Sequence, residues 1–222
     1  MFLLPKAITN RGSDIASGWV SSLTMGAGQF CTNPGIAIVI DGTDAEKFIK
    51  ETASLLSKLE PQIMLTDGIS KAYRDGCDRM SSFNAVGQLN NESEMNRAAL
   101  PQLFVTTGEN WLTNFELSEE VFGPSGLVVK AKDLNEMIEI AKKLAGQLTC
   151  TLHMDEDDQN EAKRLLQILE RKAGRILANG FPTGVEVCDS MVHGGPFPAS
   201  TNFGATSVGT VSYTHLRAHE TR

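Results

Sequence analysis

Apolar side chains follow two alternating patterns along the chain: short continuous runs, and longer stretches with helical spacing. The runs, rich in β-branched residues, are typical of strands that are buried on both faces of a sheet. They predict strands at Ile36–Ile40, 103–106, 127–129, 148–152 and 175–178. Apolar positions three and four residues apart predict helices over 45–59 and 134–144, and one that begins near Ala162 and ends at Ala173 and Gly174. Helices are also predicted over the small, polar stretch 8–23 and over 68–83.

Strands that alternate with helices indicate βαβ units, and consecutive units of this kind build a largely parallel sheet. The predicted fold class is therefore α/β, a largely parallel sheet with flanking helices. The pattern stops at residue 179. From 179 to 209 the chain is rich in Gly, Pro, Ser and Thr without helical spacing. A loop of this length inside a domain is typical of a functional segment, or of one that depends on a missing partner.

Composition narrows the classes of function. A net charge of −7 without a basic stripe argues against a nucleic-acid-binding protein. No apolar run approaches the length of a membrane span. The four cysteines form no Cys-x-x-Cys pair and no zinc-type cluster with histidine, so free thiols, no metal site and a reducing, cytoplasmic compartment are predicted.

The last twelve residues, 211–222, fit neither a strand nor a helix pattern. Residues 211–221 resemble an in-frame translation of a sequencing adaptor. We therefore predict a domain over 1–210 and a non-native tail over 211–222, and we assign no function to His215 or His219.

Cys31 is the strongest candidate for chemistry. It lies in Gly-Gln-Phe-Cys-Thr-Asn-Pro-Gly, residues 28–35, between a helix end punctuated by glycines and a hydrophobic strand. In such a place a thiol reaches a cleft while its backbone N–H stays available, and a thiolate attacks carbonyl carbon readily. The other three cysteines, Cys77, Cys150 and Cys188, are interpreted as small structural residues.

A second motif, Ser-Glu-Glu-Val-Phe-Gly-Pro, covers residues 118–124. Together with the cysteine motif it resembles the aldehyde dehydrogenase superfamily, whose signatures are an active-site cysteine and a downstream Glu-Glu-x-Phe-Gly-Pro. The likeness covers about residues 2–210. Residues 32–35, 179–188 and 193–196 are most similar to the branch that oxidises 2,5-dioxovalerate, also called α-ketoglutarate semialdehyde.

The resemblance implies a role for several residues. Cys31 would be the nucleophile that forms a thiohemiacetal with the aldehyde, and its backbone N–H would supply part of an oxyanion hole. Glu120 and Phe122 would bind the nicotinamide ribose end of NADP or NAD, since a carboxylate accepts hydrogen bonds from both ribose hydroxyls. Phe181 would line the substrate tunnel. The parent protein would be a homo-oligomer that acts on a small-molecule aldehyde.

Three parts of the family's machinery have no match in this sequence: the dinucleotide-binding domain, the glutamate base and the oxyanion-hole asparagine. In the family these precede the cysteine, and no G-x-G-x-x-G turn is present here. We therefore expect an incomplete catalytic domain that neither binds NAD(P) tightly nor turns over aldehyde by itself.

Three alternatives remain open. A cysteine-dependent hydrolase or acyltransferase would need His153 or His193 beside Cys31 as a base. The aldehyde dehydrogenase family uses no such pair, so His193 is predicted to be a hydrogen-bonding residue of its loop. A non-catalytic α/β module would need an unreactive, structural Cys31. Within the family, the substrate could be succinate semialdehyde or another small aldehyde.

Overall fold

A six-stranded sheet forms the centre of the protein in a computed structural model that describes residues 1–83, 97–184, 191 and 193–201. The strands are β1 (Phe2–Leu3), β2 (Ile36–Ile40), β3 (Gln62–Ile63), β4 (Ala98–Ala99), β5 (Gln102–Thr107), β6 (Ser125–Ala131), β7 (Gln147–His153) and β8 (Ala173–Ala178). The sheet order is β5-β6-β2-β1-β7-β8, and each neighbouring pair is parallel. β3 and β4 pair separately as a short antiparallel ribbon.

Helices cover both faces of this sheet. They are α1 (Pro5–Thr24), α2 (Thr43–Leu56), α3 (Asp67–Ser82), α4 (Gly108–Thr113), α5 (Leu134–Lys143) and α6 (Gln159–Leu169). On one face α1 and α2 pack together, with the rings of Trp19 and Phe48 stacked at a centroid distance of 5.7 Å. The opposite face carries the core residues of α3, α5 and α6, among them Tyr73, Met137 and Leu165.

The alternation of side chains across each strand builds these two cores. Ala37 and Val39 of β2 belong to the α1–α2 core, and Ile38 between them belongs to the opposite core. All three are at most 1 % exposed. A run without polar positions was the signal for a strand buried on both faces, and β2 has the predicted bounds.

The predicted α/β class with a largely parallel sheet and flanking helices is confirmed. The structure adds β1, α4 and the β3–β4 ribbon, which are too short to show a periodic pattern. The helix predicted over 45–59 ends at Leu56, and β8 begins at Ala173, where we expected the preceding helix to end. Across the part of the chain that the structure describes, no helix is long and apolar enough to span a membrane.

His153 lies at the carboxyl end of β7, buried to 1 % exposure against the ring of Phe181 at 5.0 Å. Within the described ranges neither ring nitrogen has a hydrogen-bond partner. Burial disfavours the charged imidazolium, and together with the positive charges of the N-terminal amine and of Arg11 it lowers the pKa of His153 from 6.5 to about 4.

We expect His153 to make the stability of the folded chain decrease in acid. Between pH 6.5 and about 4 the unfolded chain binds a proton at His153 that the folded chain does not, so stability falls as the pH is lowered through this window. Between pH 7 and pH 4.5 we expect the melting temperature of His153→Phe to fall by less than that of the wild type. Equal losses would contradict a buried, neutral His153.

Candidate active site

A cleft of about 380 Å³ opens at the amino ends of β2, β6 and β7. Its walls come from three segments: the cysteine loop at 31–35, the residues 117–123 before β6, and residues 144–151 around the start of β7. Both motifs that stand out in the sequence therefore face the same space.

The cysteine loop begins where α1 ends. After Thr24 the chain makes a turn in which Gly26, Ala27 and Gly28 have φ values of 56°, 57° and 66°. The two glycines adopt this left-handed backbone at little cost, whereas Ala27 is strained there. The predicted helix end at the glycines is confirmed, and the strain lies four residues before the cysteine.

Asn33 fastens this loop from within. Its side-chain amide donates to the backbone carbonyls of Gly28 at 2.7 Å, Leu23 at 3.1 Å and Gly123 at 3.3 Å. These bonds join the end of α1, the loop and the second motif. In the sequence Asn33 stands out only as part of the cysteine motif. Its role in joining these three segments is visible only in the structure.

Two further contacts fix the neighbours of the cysteine. The buried hydroxyl of Thr32 donates to the carbonyl of Pro182 at 2.8 Å, which ties the loop to the segment after β8. The indole N–H of Trp19 donates to the carbonyl of Pro34 at 2.7 Å. Both anchored loop residues, Thr32 and Pro34, follow Cys31 in the chain.

Cys31 is exposed and contributes to the cleft wall. Its Sγ lies 3.1 Å from Nε2 of His193. Among the described residues, no acceptor takes the Cys31 backbone N–H. The Cys31 thiol, which is the candidate nucleophile, therefore lies next to a potential base, His193, and next to a backbone N–H that is available as a donor.

His193 reaches the cysteine because its loop packs on the amino ends of β7 and β8. A Cβ atom on Gly174 would overlap the backbone carbonyls of Gly194 and Gly195, and one on Gly146 would press on the ring of Pro196. We expected His193 to be a hydrogen-bonding loop residue, and its partner is the candidate nucleophile. His153 is at the carboxyl end of β7 and so lies at the opposite end of the strands from the cleft.

The two glutamates of the second motif have different surroundings. Glu119 pairs with Arg79 of α3 at 3.3 Å. Glu120 is exposed, lines the cleft and makes no hydrogen bond or ion pair with the described residues. Phe122, 38 % exposed, lines the same cleft. The structure therefore brings Cys31, Glu120 and Phe122 to one site.

The two motifs also touch through their backbones. Gly28 lies so close to Gly123 that a Cβ atom at residue 28 would overlap the carbonyl group of Gly123 and the nitrogen of Pro124. Gly123 in turn has no room for a side chain, because the ring of Tyr73 fills that space.

Comparison with known proteins adds a sequence relationship to this geometry. No family model matches the chain. The chain is 47 % identical over 212 residues to alpha-ketoglutaric semialdehyde dehydrogenase 2 of Azospirillum brasilense. That match covers 95 % of this chain and 40 % of the relative. The chain matches one part of an aldehyde dehydrogenase.

Solved aldehyde dehydrogenases share the fold. A succinic semialdehyde dehydrogenase of Streptococcus pyogenes, in complex with NADP+, superposes with a TM-score of 0.68 at 19 % identity, covering 88 % of this chain and 42 % of that one. An NAD-dependent aldehyde dehydrogenase of Sinorhizobium meliloti gives 0.66 at 17 % identity, covering 83 % and 37 %. At these identities the likeness concerns the fold alone.

Not all of the predicted site residues reach the cleft. The ring of Phe181 packs against Gly18 and His153, and only its neighbour Pro182 lines the cleft. Its role beside the substrate therefore stays a prediction.

Within the described ranges no group of His, Cys, Asp and Glu side chains could hold a metal ion.

The other cysteines differ from Cys31 in their surroundings. Cys77 and Cys150 are 8 % and 5 % exposed. Burial raises the pKa of Cys77 to about 12, and it raises the pKa of Cys150 as well. These thiols resist ionisation, which agrees with their interpretation as structural residues. Cys188 and the tail over 211–222 lie outside the described residues.

Gly28→Ala tests the contact between the motifs. A left-handed backbone costs an L-residue about 1–2 kcal/mol, and the added methyl group also meets backbone that cannot rotate away. We expect a loss of about 2 kcal/mol or more in the free energy of unfolding, measured with urea.

The matched control is Gly68→Ala in the first turn of α3, where the nearest atom is 3.9 Å away. This change should leave stability equal or raise it by up to about 1 kcal/mol. Equal effects of the two substitutions would mean that Gly28 and Gly123 do not approach closely.

Proposed function

We propose that this chain supplies the catalytic cysteine for the NADP- or NAD-dependent oxidation of a small semialdehyde to its acid. The observation that carries the proposal is the single cleft that holds Cys31, Glu120 and Phe122. The chain spans 40 % of the length of the Azospirillum relative. We propose that the dinucleotide-binding domain and the glutamate base belong to the unmatched part, so that this chain alone is inactive.

Cys31 would act as the nucleophile. Its exposed Sγ is free to approach the carbonyl carbon of an aldehyde from the cleft, forming a thiohemiacetal. Charge then develops on the former carbonyl oxygen. The backbone N–H of Cys31, which has no acceptor among the described residues, would donate to that oxygen as part of an oxyanion hole.

Glu120 and Phe122 fit the ribose end of a nicotinamide cofactor. A carboxylate without a protein partner can accept hydrogen bonds from two vicinal hydroxyls, and an exposed ring beside it can pack on a flat heterocycle. The bound cofactor would supply the hydride acceptor that turns the thiohemiacetal into a thioester. Water would release the acid and regenerate the Cys31 thiol.

Alpha-ketoglutaric semialdehyde is the proposed substrate, because the relative at 47 % identity bears that name. Succinate semialdehyde is the nearest rival. We retain Phe181 as a proposed substrate-lining residue, since Pro182 next to it lines the cleft. A homo-oligomeric parent protein and a cytoplasmic location complete the proposal.

A cysteine-dependent hydrolase or acyltransferase is the second candidate, and the 3.1 Å contact between Cys31 and His193 favours it. The two candidates differ in their need for a cofactor. A hydrolase would cleave thioesters at full rate without NADP or NAD, whereas a dehydrogenase needs one of them to oxidise an aldehyde.

A chimera tests the first candidate: this chain, without residues 211–222, replaces the matching 40 % of the Azospirillum enzyme. We expect it to form NADPH or NADH from alpha-ketoglutaric semialdehyde, followed by absorbance at about 340 nm. Cys31→Ser should reduce the rate by about a thousandfold or more, because an alcohol is a far weaker nucleophile than a thiolate.

Melting curves and cofactor binding of the chimera and of its Cys31→Ser variant serve as controls. A folded chimera that binds the cofactor but oxidises no semialdehyde would contradict the proposal. So would a Cys31→Ser variant that keeps its activity.

Glu120→Gln in the same chimera tests the cofactor site. Hydrogen bonds to a charged group contribute about 1.5–3 kcal/mol, so their weakening should raise the KM for the nicotinamide cofactor about tenfold or more. The adjacent Glu119→Gln is the matched control. Glu119 also lines the cleft, but its carboxylate already pairs with Arg79 at the exposed surface, so this change should leave the KM nearly unchanged. Equal effects at both positions would remove Glu120 from the cofactor site.

A further inference from the structure

We propose that His193 is a catalytic base that takes the proton of the Cys31 thiol as the sulfur attacks its substrate. The inference rests on the proposed function in one respect, the assignment of Cys31 as the nucleophile. It goes beyond the family resemblance, which implies no cysteine–histidine pair.

The geometry suits direct proton transfer. Nε2 of His193 lies 3.1 Å from Sγ of Cys31, within hydrogen-bonding distance for sulfur. A neutral imidazole with its proton on Nδ1 presents the lone pair of Nε2 to the S–H group. Among the described residues, no other ionisable side chain forms a hydrogen bond with this sulfur.

The fold holds His193 at this position. Gly174 in β8 has no side chain, and the carbonyls of Gly194 and Gly195 occupy the space where its Cβ would be. Arg175, the next residue of β8, contacts the sulfur of Met191 at 2.7 Å. Met191 precedes the histidine in sequence, whereas Gly194 and Gly195 follow it. The loop is therefore fastened to one strand both before and after residue 193.

The proposed step couples transfer of the thiol proton to attack of the sulfur on the carbonyl carbon. The Sγ–H bond breaks and its proton moves to Nε2 of His193, while the sulfur electron pair forms a bond to the carbonyl carbon. The carbonyl π pair moves to oxygen. The products are a thiohemiacetal alkoxide and an imidazolium cation, which attract each other in the cleft. No oxidant takes part in this step, so it can be tested without a nicotinamide cofactor.

The test measures alkylation of each cysteine in the full chain by iodoacetamide at neutral pH, followed by peptide mass spectrometry. We expect His193→Ala to slow the alkylation of Cys31 about a hundredfold or more, the lower end of what a general base contributes. Added imidazole should enter the vacated space and restore much of the rate. Alkylation of the buried Cys77 after denaturation serves as an internal standard.

A second variant separates proton acceptance from positioning. His193→Gln offers a hydrogen-bonding side chain that takes up no proton, so alkylation of Cys31 should remain slow. A wild-type rate in His193→Ala would overturn the proposal. A wild-type rate in His193→Gln would also overturn it, because a hydrogen bond alone would then explain the effect.

Gly174→Ala provides a check that leaves both side chains in place. It displaces the loop through the clash with the carbonyls of Gly194 and Gly195, so it should slow Cys31 alkylation as His193→Ala does. Unchanged melting curves and unchanged labelling of the other cysteines identify the variants that remain folded. A folded Gly174→Ala with wild-type labelling would count against the proposal.

Failure here and failure of the proposed function give different results. If labelling of Cys31 ignores residue 193 while the chimera oxidises semialdehyde through Cys31, only the role of His193 is wrong. If the chimera is folded and inactive while labelling depends on His193, the proposed dehydrogenase function is wrong and the hydrolase gains support.

Discussion

The close approach of Gly28 to Gly123 is the contact on which the site depends. Because neither residue has a side chain, the cysteine loop and the 118–124 segment meet backbone to backbone, and the Asn33 amide spans the junction with bonds to both. Cys31 and Glu120 lie on opposite sides of that junction and so face one cleft. A larger residue at either glycine would separate the proposed nucleophile from the proposed ribose-binding carboxylate.

The location of the cleft also sets this protein apart from the usual arrangement of parallel sheets. Ligands of open α/β sheets commonly bind beyond the carboxyl ends of the strands. Here the candidate site lies at the amino ends of β2, β6 and β7. The connection before β2 contains the strained Ala27, and the loop of His193, which follows β8, packs on the amino ends of β7 and β8. The candidate site is therefore built from loops at the amino ends of the strands, whereas the carboxyl end of β7 holds the buried His153.

Local patterns predicted most of the fold and part of the site. Apolar runs marked the longer strands because burial on both faces leaves no polar position, and the glycines marked the end of α1. The two-residue β1 has no period to detect. The contact of Cys31 with His193 joins residues 162 positions apart, and the bonds of Asn33 depend on where α1 and the second motif meet. Such contacts arise from packing and leave no local signal.

β1 is only two residues long, but it connects the two halves of the sheet. Its two residues are the sheet's connection between β5-β6-β2 on one side and β7-β8 on the other. Phe2 belongs to one core and Leu3 to the other. Cys31 precedes β2, whereas the loop of His193 rests on β7 and β8, so the two side chains are carried by different halves of the sheet. The distance between the sulfur and the imidazole therefore depends on how β1 spaces those two halves of the sheet.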